Sequence, residues 1–311
     1  LEEKISISDL SVIYLSYDEP KADLFWARIN AELPWARRVH GVKGSDAAHK
    51  AAADASDTDR FILIDGDNMP RWNFFNQTLS LTEVNHDCVF RWRAENSVNG
   101  LRYGNGGLSC WTRAFAYNMR THEASPGDSR TDIEFCFDDR YWAMYDTWST
   151  TYPNGSAKHA WRAGFREGVK MCLEQGERID LLDFQKNINQ QNLHSLETWL
   201  TVGRDAEYGI WSIYGARLGA LKTMTTDWDY RDVAHFDALE EIWNGLEKTE
   251  PEAYAREVAE ELDWQLDIDV IEMDSRSSAF FKSHQYHRPN LDIMLRETKA
   301  VAFLKDRLNE Q

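Results

Sequence analysis

Cysteine is scarce in this sequence: four residues in 311, at Cys88, Cys110, Cys136 and Cys172. They form no CxxC pair, which argues against a zinc site and against a disulfide framework and fits a reducing, cytoplasmic setting. No apolar run reaches the roughly 18 residues that a membrane-crossing helix needs, so no membrane partner is expected. The opening residues, LEEKISISDL, are acidic and hold no apolar signal core. Internal repeats and low-complexity linkers are lacking as well. Positive charge is short: 35 Lys and Arg stand against 52 Asp and Glu, a net charge of −17. That balance weakens a nucleic-acid reading. The deficit is local, because residues 225–275 hold 17 acids and three bases and the rest of the chain is nearly neutral.

What is present reads as an ordinary globular protein, 42% apolar and 28% charged, long enough for one large domain or up to two smaller ones. Residues 11–17 (SVIYLSY) predict a buried strand. Lys21 to Glu32 follow a helical spacing, with Ala22, Phe25, Trp26, Ile29 and Leu33 in the stripe. A second strand is expected over Arg37–Val42, then an Ala-rich helix N-capped by Ser45 and ending near Ala55, then a third strand, FILID. This alternation argues for a parallel α/β sheet. Further on, Cys88–Trp92 predicts a strand, Tyr103–Gly107 a glycine-rich loop, Ser109–Met119 a short helix and Glu134–Phe137 another strand. After Pro153 the pattern is almost wholly helical, including the acidic stretch Tyr230–Trp264. The expected organisation is an α/β nucleotide-binding domain over 1–153, with a mainly helical region over 154–311 packed on it.

The third strand runs into FILIDGDNMPRW, which places Asp65 and Asp67 on one tight turn. Asp-Gly pairs are common in structural turns. Two carboxylates at i and i+2 can also aim at one hard cation, Mg²⁺ or Mn²⁺, leaving positions open for phosphates. Position favours the second reading: Asp18, Lys43 and the Asp65–Asp67 pair all fall at carboxyl ends of strands, where ligands of α/β sheets gather.

The longer pattern resembles a family. LSYDEP at 15–20, RVHGVKG at 38–44, AHKAAA at 48–53, ASDTDRFILIDGDN at 55–68, YGNGGLSCW at 103–111 and HAWRAGFREGVK at 159–170 together resemble GT-A-fold nucleotide-sugar glycosyltransferases encoded by T-even-like and marine bacteriophages. The resemblance runs over about residues 11–175. It implies a GT-A-like, Rossmann-related mixed sheet with a helical C-terminal region, and a setting in the host cytoplasm. Asp65 and Asp67 would hold Mn²⁺ or Mg²⁺, with Asp67 the direct ligand and Asp65 nearer the ribose of a donor expected to be a UDP-sugar. Asp18 would face the base or ribose, and Lys43 and His49 the nucleotide or its phosphates. Gly106 and Gly107 would let backbone approach the donor sugar or acceptor. A distal histidine would complete the metal shell, His122 or His159, with His159 favoured.

A transfer reaction can use a carboxylate to take the acceptor proton. Asp132, Glu134, Asp138 and Asp139 follow the glycine segment, and the sequence does not separate them. Lys158, Arg162, Arg166 and Lys170 recur every four residues and make one basic helix face. That face is either solvated or serves a donor diphosphate or a nucleic-acid backbone, Arg162 and Arg166 being the donor-binding candidates. The acceptor implied by the resemblance is 5-hydroxymethylcytosine in double-stranded phage DNA, with the base extruded from the duplex. A DNA enzyme should then carry a positive cleft beside Asp67 and hold the acidic 225–275 segment on the far face. The alternatives are a glycan, lipid or protein acceptor, which the acidic balance suits better, and a non-catalytic binder of sugar nucleotides.

Overall fold

The computed structural model describes residues 2–119, 121, 123, 135–136 and 138–286. Its sheet-forming half contains β1 (Glu3–Ser6), β2 (Ser11–Ser16), α1 (Ala22–Glu32), β3 (Arg37–His40), α2 (Ser45–Asp54), β4 (Arg60–Asp65) and β5 (Asn68–Pro70). It continues with β6 (Thr78–Leu81), β7 (Val89–Asn96), β8 (Arg102–Thr112), α3 (Arg113–Asn118) and β9 (Tyr141–Thr151). Seven strands form one sheet in the order β3-β2-β4-β8-β7-β9-β5. The first three pair in parallel, β8 runs antiparallel to both β4 and β7, and β5 antiparallel to β9. The sheet is therefore mixed. The parallel expectation holds for β2, β3 and β4; beyond them β7 and β9 also pair in parallel, while β8 and β5 run antiparallel to their neighbours.

SVIYLS and RFILID are apolar almost throughout because both faces of these central strands are covered. On one face Tyr14, Ile62, Ile64, Phe90 and Leu108 pack with Phe25 and Ile29 of α1. On the other, Ile13, Phe61, Leu63 and Trp111 pack with Ala52 and Ala53 of α2 and with Phe115 of α3. Each such fully buried large side chain contributes about 1.5–3 kcal/mol.

The glycine-rich segment is not a loop. Gly104 to Leu108 lie inside the continuous strand β8, where the pairing with β7 jumps from Arg91↔Ser109 to Arg93↔Gly104. The segment is a bulge, which inserts extra residues and kinks a strand without ending it. Its glycines make room for neighbours: a Cβ on Gly106 would meet the Tyr141 hydroxyl at 2.7 Å, and one on Gly107 would overlap the Asn68 amide. Strand β9 has no counterpart in the sequence reading. The strand expected over Glu134–Phe137 lies partly outside the described residues, and Cys136 makes a single bridge to Thr121.

The helical half holds α4 (Ala157–Met171), the short pair β10 (Leu173–Glu174) and β11 (Glu177–Arg178), and α5 (Phe184–Asn187). Beyond them come α6 (Gln190–Thr201), α7 (Gly209–Thr225), α8 (Phe236–Gly245), α9 (Pro251–Leu266) and α10 (Ser275–His284). Helices α4 and α7 meet backbone to backbone. A Cβ on Gly164 or Gly168 would overlap the carbonyl of Ser212 or Ala216, and one on Gly215 or Gly219 that of Trp161 or Phe165. The buried Arg217 of α7 donates to the carbonyls of Leu200 and Ala255, both at 2.8 Å, and to Glu272 at 2.5 Å. Leu101 and Tyr103, from the sheet, pack in the same core as Trp199, Leu200 and Leu262. No described helix is long and apolar enough to cross a membrane.

Candidate active site

The carboxyl ends of β2, β3 and β4 open onto a cleft of about 830 Å³, closed on its other side by α4 and by residues 234–237. Asp65 and Asp67 sit on its floor with Glu19, and Asp18, Lys43, His49, His159, Arg162 and Arg166 line it. Eight of the residues singled out from sequence thus share one cavity.

The turn is held from several sides. The Tyr14 hydroxyl donates to the Gly66 carbonyl at 2.7 Å, and the Tyr152 N–H donates to the Asp67 carbonyl at 2.7 Å. The Asn68 amide donates to one oxygen of the Asp67 carboxylate at 2.7 Å and the Thr151 hydroxyl to the other at 3.3 Å. Ser149 in turn donates to Asn68 at 3.2 Å. The Gly107 space that admits Asn68 is therefore part of what aims Asp67. Gly106 and Gly107 do not line the cleft; they support the turn from behind.

Glu19 is the residue that sequence reasoning missed. Its carboxylate lies against Gly66, where a Cβ would approach it to 2.5 Å, and it accepts from the Tyr17 N–H at 2.7 Å. The signal was available in LSYDEP, where Asp18 drew the attention. Asp18 itself is exposed at the rim. Three acids crowded together raise one another's proton affinity. Burial first, then the charges of Asp67 and Glu19, hold the Asp65 carboxyl well above its usual range. Asp67 is raised by burial, with the Asn68 and Thr151 hydrogen bonds and Arg162 pulling the other way. Glu19 is raised by burial, with smaller contributions from Asp67 and Asp18. An acid group of this kind favours a bound cation.

Across the cleft, Ser156 caps α4 by accepting from the His159 N–H at 3.2 Å, and its oxygen stands 2.8 Å from His159 Nδ1. This contact orients the ring through Nδ1 and leaves Nε2 as its other nitrogen. That buried Nε2 has no hydrogen-bond partner and faces Asp18 at 3.8 Å. Burial first, then Arg162 and Lys158, lower the His159 pKa against the pull of Asp18. Among the described residues no cluster of three or more His, Cys, Asp or Glu is arranged to hold a metal. The expected trio of Asp65, Asp67 and His159 is thus not a preformed cage. The two aspartates fit a hard cation that takes its other ligands from substrate and water.

Arg162 and Arg166 lie over the Phe236 ring at 4.7 and 5.4 Å, which orders both guanidiniums toward the cavity. Arg166 Nε is buried without a partner, and burial lowers the pKa of that guanidinium. Lys158, on the same helix face, is engaged by Glu240 at 2.9 Å. His49 is a packing residue as much as a cleft residue: its ring rests on Trp111 at 4.8 Å and Phe135 at 5.3 Å, and Nδ1 donates to the Ser45 carbonyl at 2.8 Å. Ser45 is the first residue of α2 rather than its cap. The Glu123 carboxylate takes that place, accepting from the N–H groups of Ser45 and Asp46 at 2.5 and 3.2 Å, where a helix favours negative charge.

Of the four proposed proton acceptors, the two that are described, Asp138 and Asp139, do not line the cleft. Asp138 is gripped by Arg140 at 3.0 and 2.7 Å, which lowers its pKa, and Asp139 is exposed. An ion-paired carboxylate away from the cavity is poorly suited to take a substrate proton. Asp132, Glu134 and His122 lie outside the described residues.

No protein-family model and no curated protein matches the sequence. Among solved structures, the chain is similar to HddC from Yersinia pseudotuberculosis over 50% of its own length and 78% of that chain, at 15% identity and a TM-score of 0.27. A likeness at that score carries no argument about this chain.

Proposed function

We propose that the chain is a metal-dependent glycosyltransferase of GT-A-like fold, moving a sugar from a nucleotide-sugar donor to a hydroxyl acceptor. One observation carries the reading. Asp65 and Asp67 at the end of β4, with Glu19 after β2, face Arg162, Arg166 and His159 across a single cleft. A cation for the acids and phosphates for the arginines is the composition that a metal-bridged diphosphate supplies. Asp67 and Asp65 would hold Mn²⁺ or Mg²⁺, which neutralises charge on the departing nucleotide. Arg162 and Arg166 would bind the phosphates, with His159 beside them in the same cleft. Asp18 at the rim would face the base or ribose of a UDP-sugar, and Lys43 the nucleotide or its phosphates. Transfer breaks the bond between anomeric carbon and phosphate oxygen and forms one to the acceptor oxygen, whose proton leaves to a base.

The favoured acceptor is the hydroxymethyl group of 5-hydroxymethylcytosine in DNA. One observation favours the alternative of a glycan, lipid or protein acceptor: Ala234 to Asp237, within the acidic segment, border the cleft instead of the far face. The test is incubation with a panel of nucleotide sugars, Mn²⁺ and hydroxymethylcytosine DNA, followed by mass spectrometry of the nucleosides. A hexose or pentose increment is expected on the modified base. Sugar transferred to a glycan and never to DNA would overturn the acceptor. The Asp67→Ala variant should lose donor turnover by about 100-fold or more; retained turnover would remove the metal site from the reading.

A further inference from the structure

A second cavity, larger than the first at about 1070 Å³, opens between the β7–β8–β9 side of the sheet and α10. Strand periodicity explains its character. Val89 of β7 faces the apolar core, and the next residues on that face are Arg91, Arg93 and Glu95, so the face turns basic where core gives way to cavity. Arg93 and Arg102 line the cavity from the sheet, Arg71 from the end of β5 and Arg276 from α10. Glu95 partly neutralises two of them, Arg71 at 3.3 Å and Arg102 at 2.7 Å. Arg93 instead lies over the Tyr145 ring at 4.3 Å, and neither it nor Arg276 has a salt bridge to a described carboxylate. In a chain of net charge −17, four arginines lining one cavity beside a single acid, Asp146, among the described residues are a local exception.

The aromatic side chains point the same way. Tyr145, Phe280 and Tyr286 are 74%, 64% and 41% exposed, and all three line this cavity. The Arg102 guanidinium rests on Tyr286 at 4.5 Å, and Phe280 stacks on His284 at 4.0 Å. Large exposed rings gathered at one place mark a binding surface. Rings beside arginines suit a ligand with a flat face and an anionic group.

We propose that this cavity binds a nucleotide unit, taking its phosphate on Arg93 and Arg276 and its base against Tyr145 or Phe280. The unit comes either from a free nucleotide or from a nucleic-acid strand, and both present the same chemistry. The site stands apart from the donor cleft and does not depend on the sugar-transfer reading. Strands β5 and β9 run between the two: Asp67 and Tyr152, just outside these strands, line the cleft, and Arg71 and Thr147 line the cavity.

The experiment is fluorescence anisotropy of the full-length protein with a labelled single-stranded deoxyoligonucleotide, competed by unlabelled strand or by nucleoside monophosphates. Binding is expected to weaken as salt rises. The R93A/R276A variant should weaken it by about tenfold or more, and Tyr145→Ala by about fivefold or more. A charge-matched control, Lys4→Ala with Arg256→Ala, removes two exposed positive charges elsewhere and should change it less than twofold. Competition by monophosphates assigns the free nucleotide as source, and competition by the strand alone assigns nucleic acid. Absence of binding by either probe, or equal loss in the charge-matched control, overturns the proposal. Because R93A/R276A could affect folding, Arg276→Glu on the exposed face of α10 is measured beside it and should also reduce binding. Donor turnover by the unaltered protein with Mn²⁺ is read separately, so loss of either reading leaves the other standing.

Discussion

His49 shows how one side chain can border a ligand cavity and still be committed to packing. With its ring on Trp111 and Phe135 and Nδ1 donating to Ser45, it is held neutral, and burial lowers its pKa below the ordinary histidine value. The sign of the pH effect follows. The unfolded chain takes up a proton near pH 6.5 and the folded chain only at lower pH, so stability falls as pH drops below about 6.5. His49→Gln should lower the melting temperature at about pH 7.5 yet reduce its further drop on going to about pH 5.5. Thermal melts at the two pH values check this, and an unchanged drop would mean that other groups dominate. Gly107 offers a second residue-scale test. Alanine there displaces Asn68, and through Asn68 it loosens Asp67. Gly107→Ala should cost about 1–3 kcal/mol of stability, as overpacked sites do. It should also weaken Mn²⁺-dependent donor binding, although Gly107 does not line the cleft. Calorimetric titration of donor with and without Mn²⁺ separates that effect from lost stability.

Helix α4 links packing to chemistry at the scale of the element. One face presents Gly164 and Gly168 to the α7 backbone, and another presents His159, Arg162 and Arg166 to the cleft. A branched side chain between the two helices must push α4 outward and carry the cleft residues with it. Gly164→Val should therefore cost about 3 kcal/mol or more, and donor affinity should fall in whatever fraction stays folded. Urea unfolding gives the first quantity and titration the second; full affinity in a destabilised variant would show that the two faces are uncoupled. The same helix marks the limit of what the sequence discloses. Its apolar stripe and basic face are legible from spacing, but reciprocal glycine contacts need the partner helix to be placed first. Strands β2 and β4 are legible because both faces are buried and their residues are apolar in succession. Strand β9 is not, because most of YWAMYDTWSTT is exposed or half-buried and carries no clean alternation. The glycine-rich part of β8 misleads for a physical reason: glycine weakens strands in general, whereas here it clears space for Tyr141 and Asn68. At the turn, a pair of aspartates is visible as a motif, but the third acid, Glu19, joins them only through the fold.

At the scale of the whole molecule, the two halves share interior and site. Leu101 and Tyr103 of the sheet lie in the core that α6, α7 and α9 build, and Lys282 of α10 pairs with Asp205 at 2.5 Å while reaching the Ser97 carbonyl at 3.4 Å. Asn154 donates to the Glu207 carbonyl at 2.8 Å, and Lys21 of the sheet half pairs with Glu207 at 2.9 Å. A division near residue 153 therefore separates segments of the chain without separating their cores. The cleft repeats the pattern, with acids supplied by the strands and arginines by α4. Unfolding the helical half would expose Leu101 and Tyr103 and remove every positively charged partner that α4 contributes. Loss of one half should for that reason destabilise the other, and the protein should unfold in a single transition. Far-ultraviolet circular dichroism and tryptophan fluorescence, followed through urea, should give coincident curves. The 13 tryptophans report on both halves, since Trp92 and Trp111 sit in the sheet cores and Trp161 and Trp199 in the helical ones. Two separated transitions would mean that the shared core is too small to couple them. The cleft would then be a seam between independently folding units, and donor binding would be lost at the first transition.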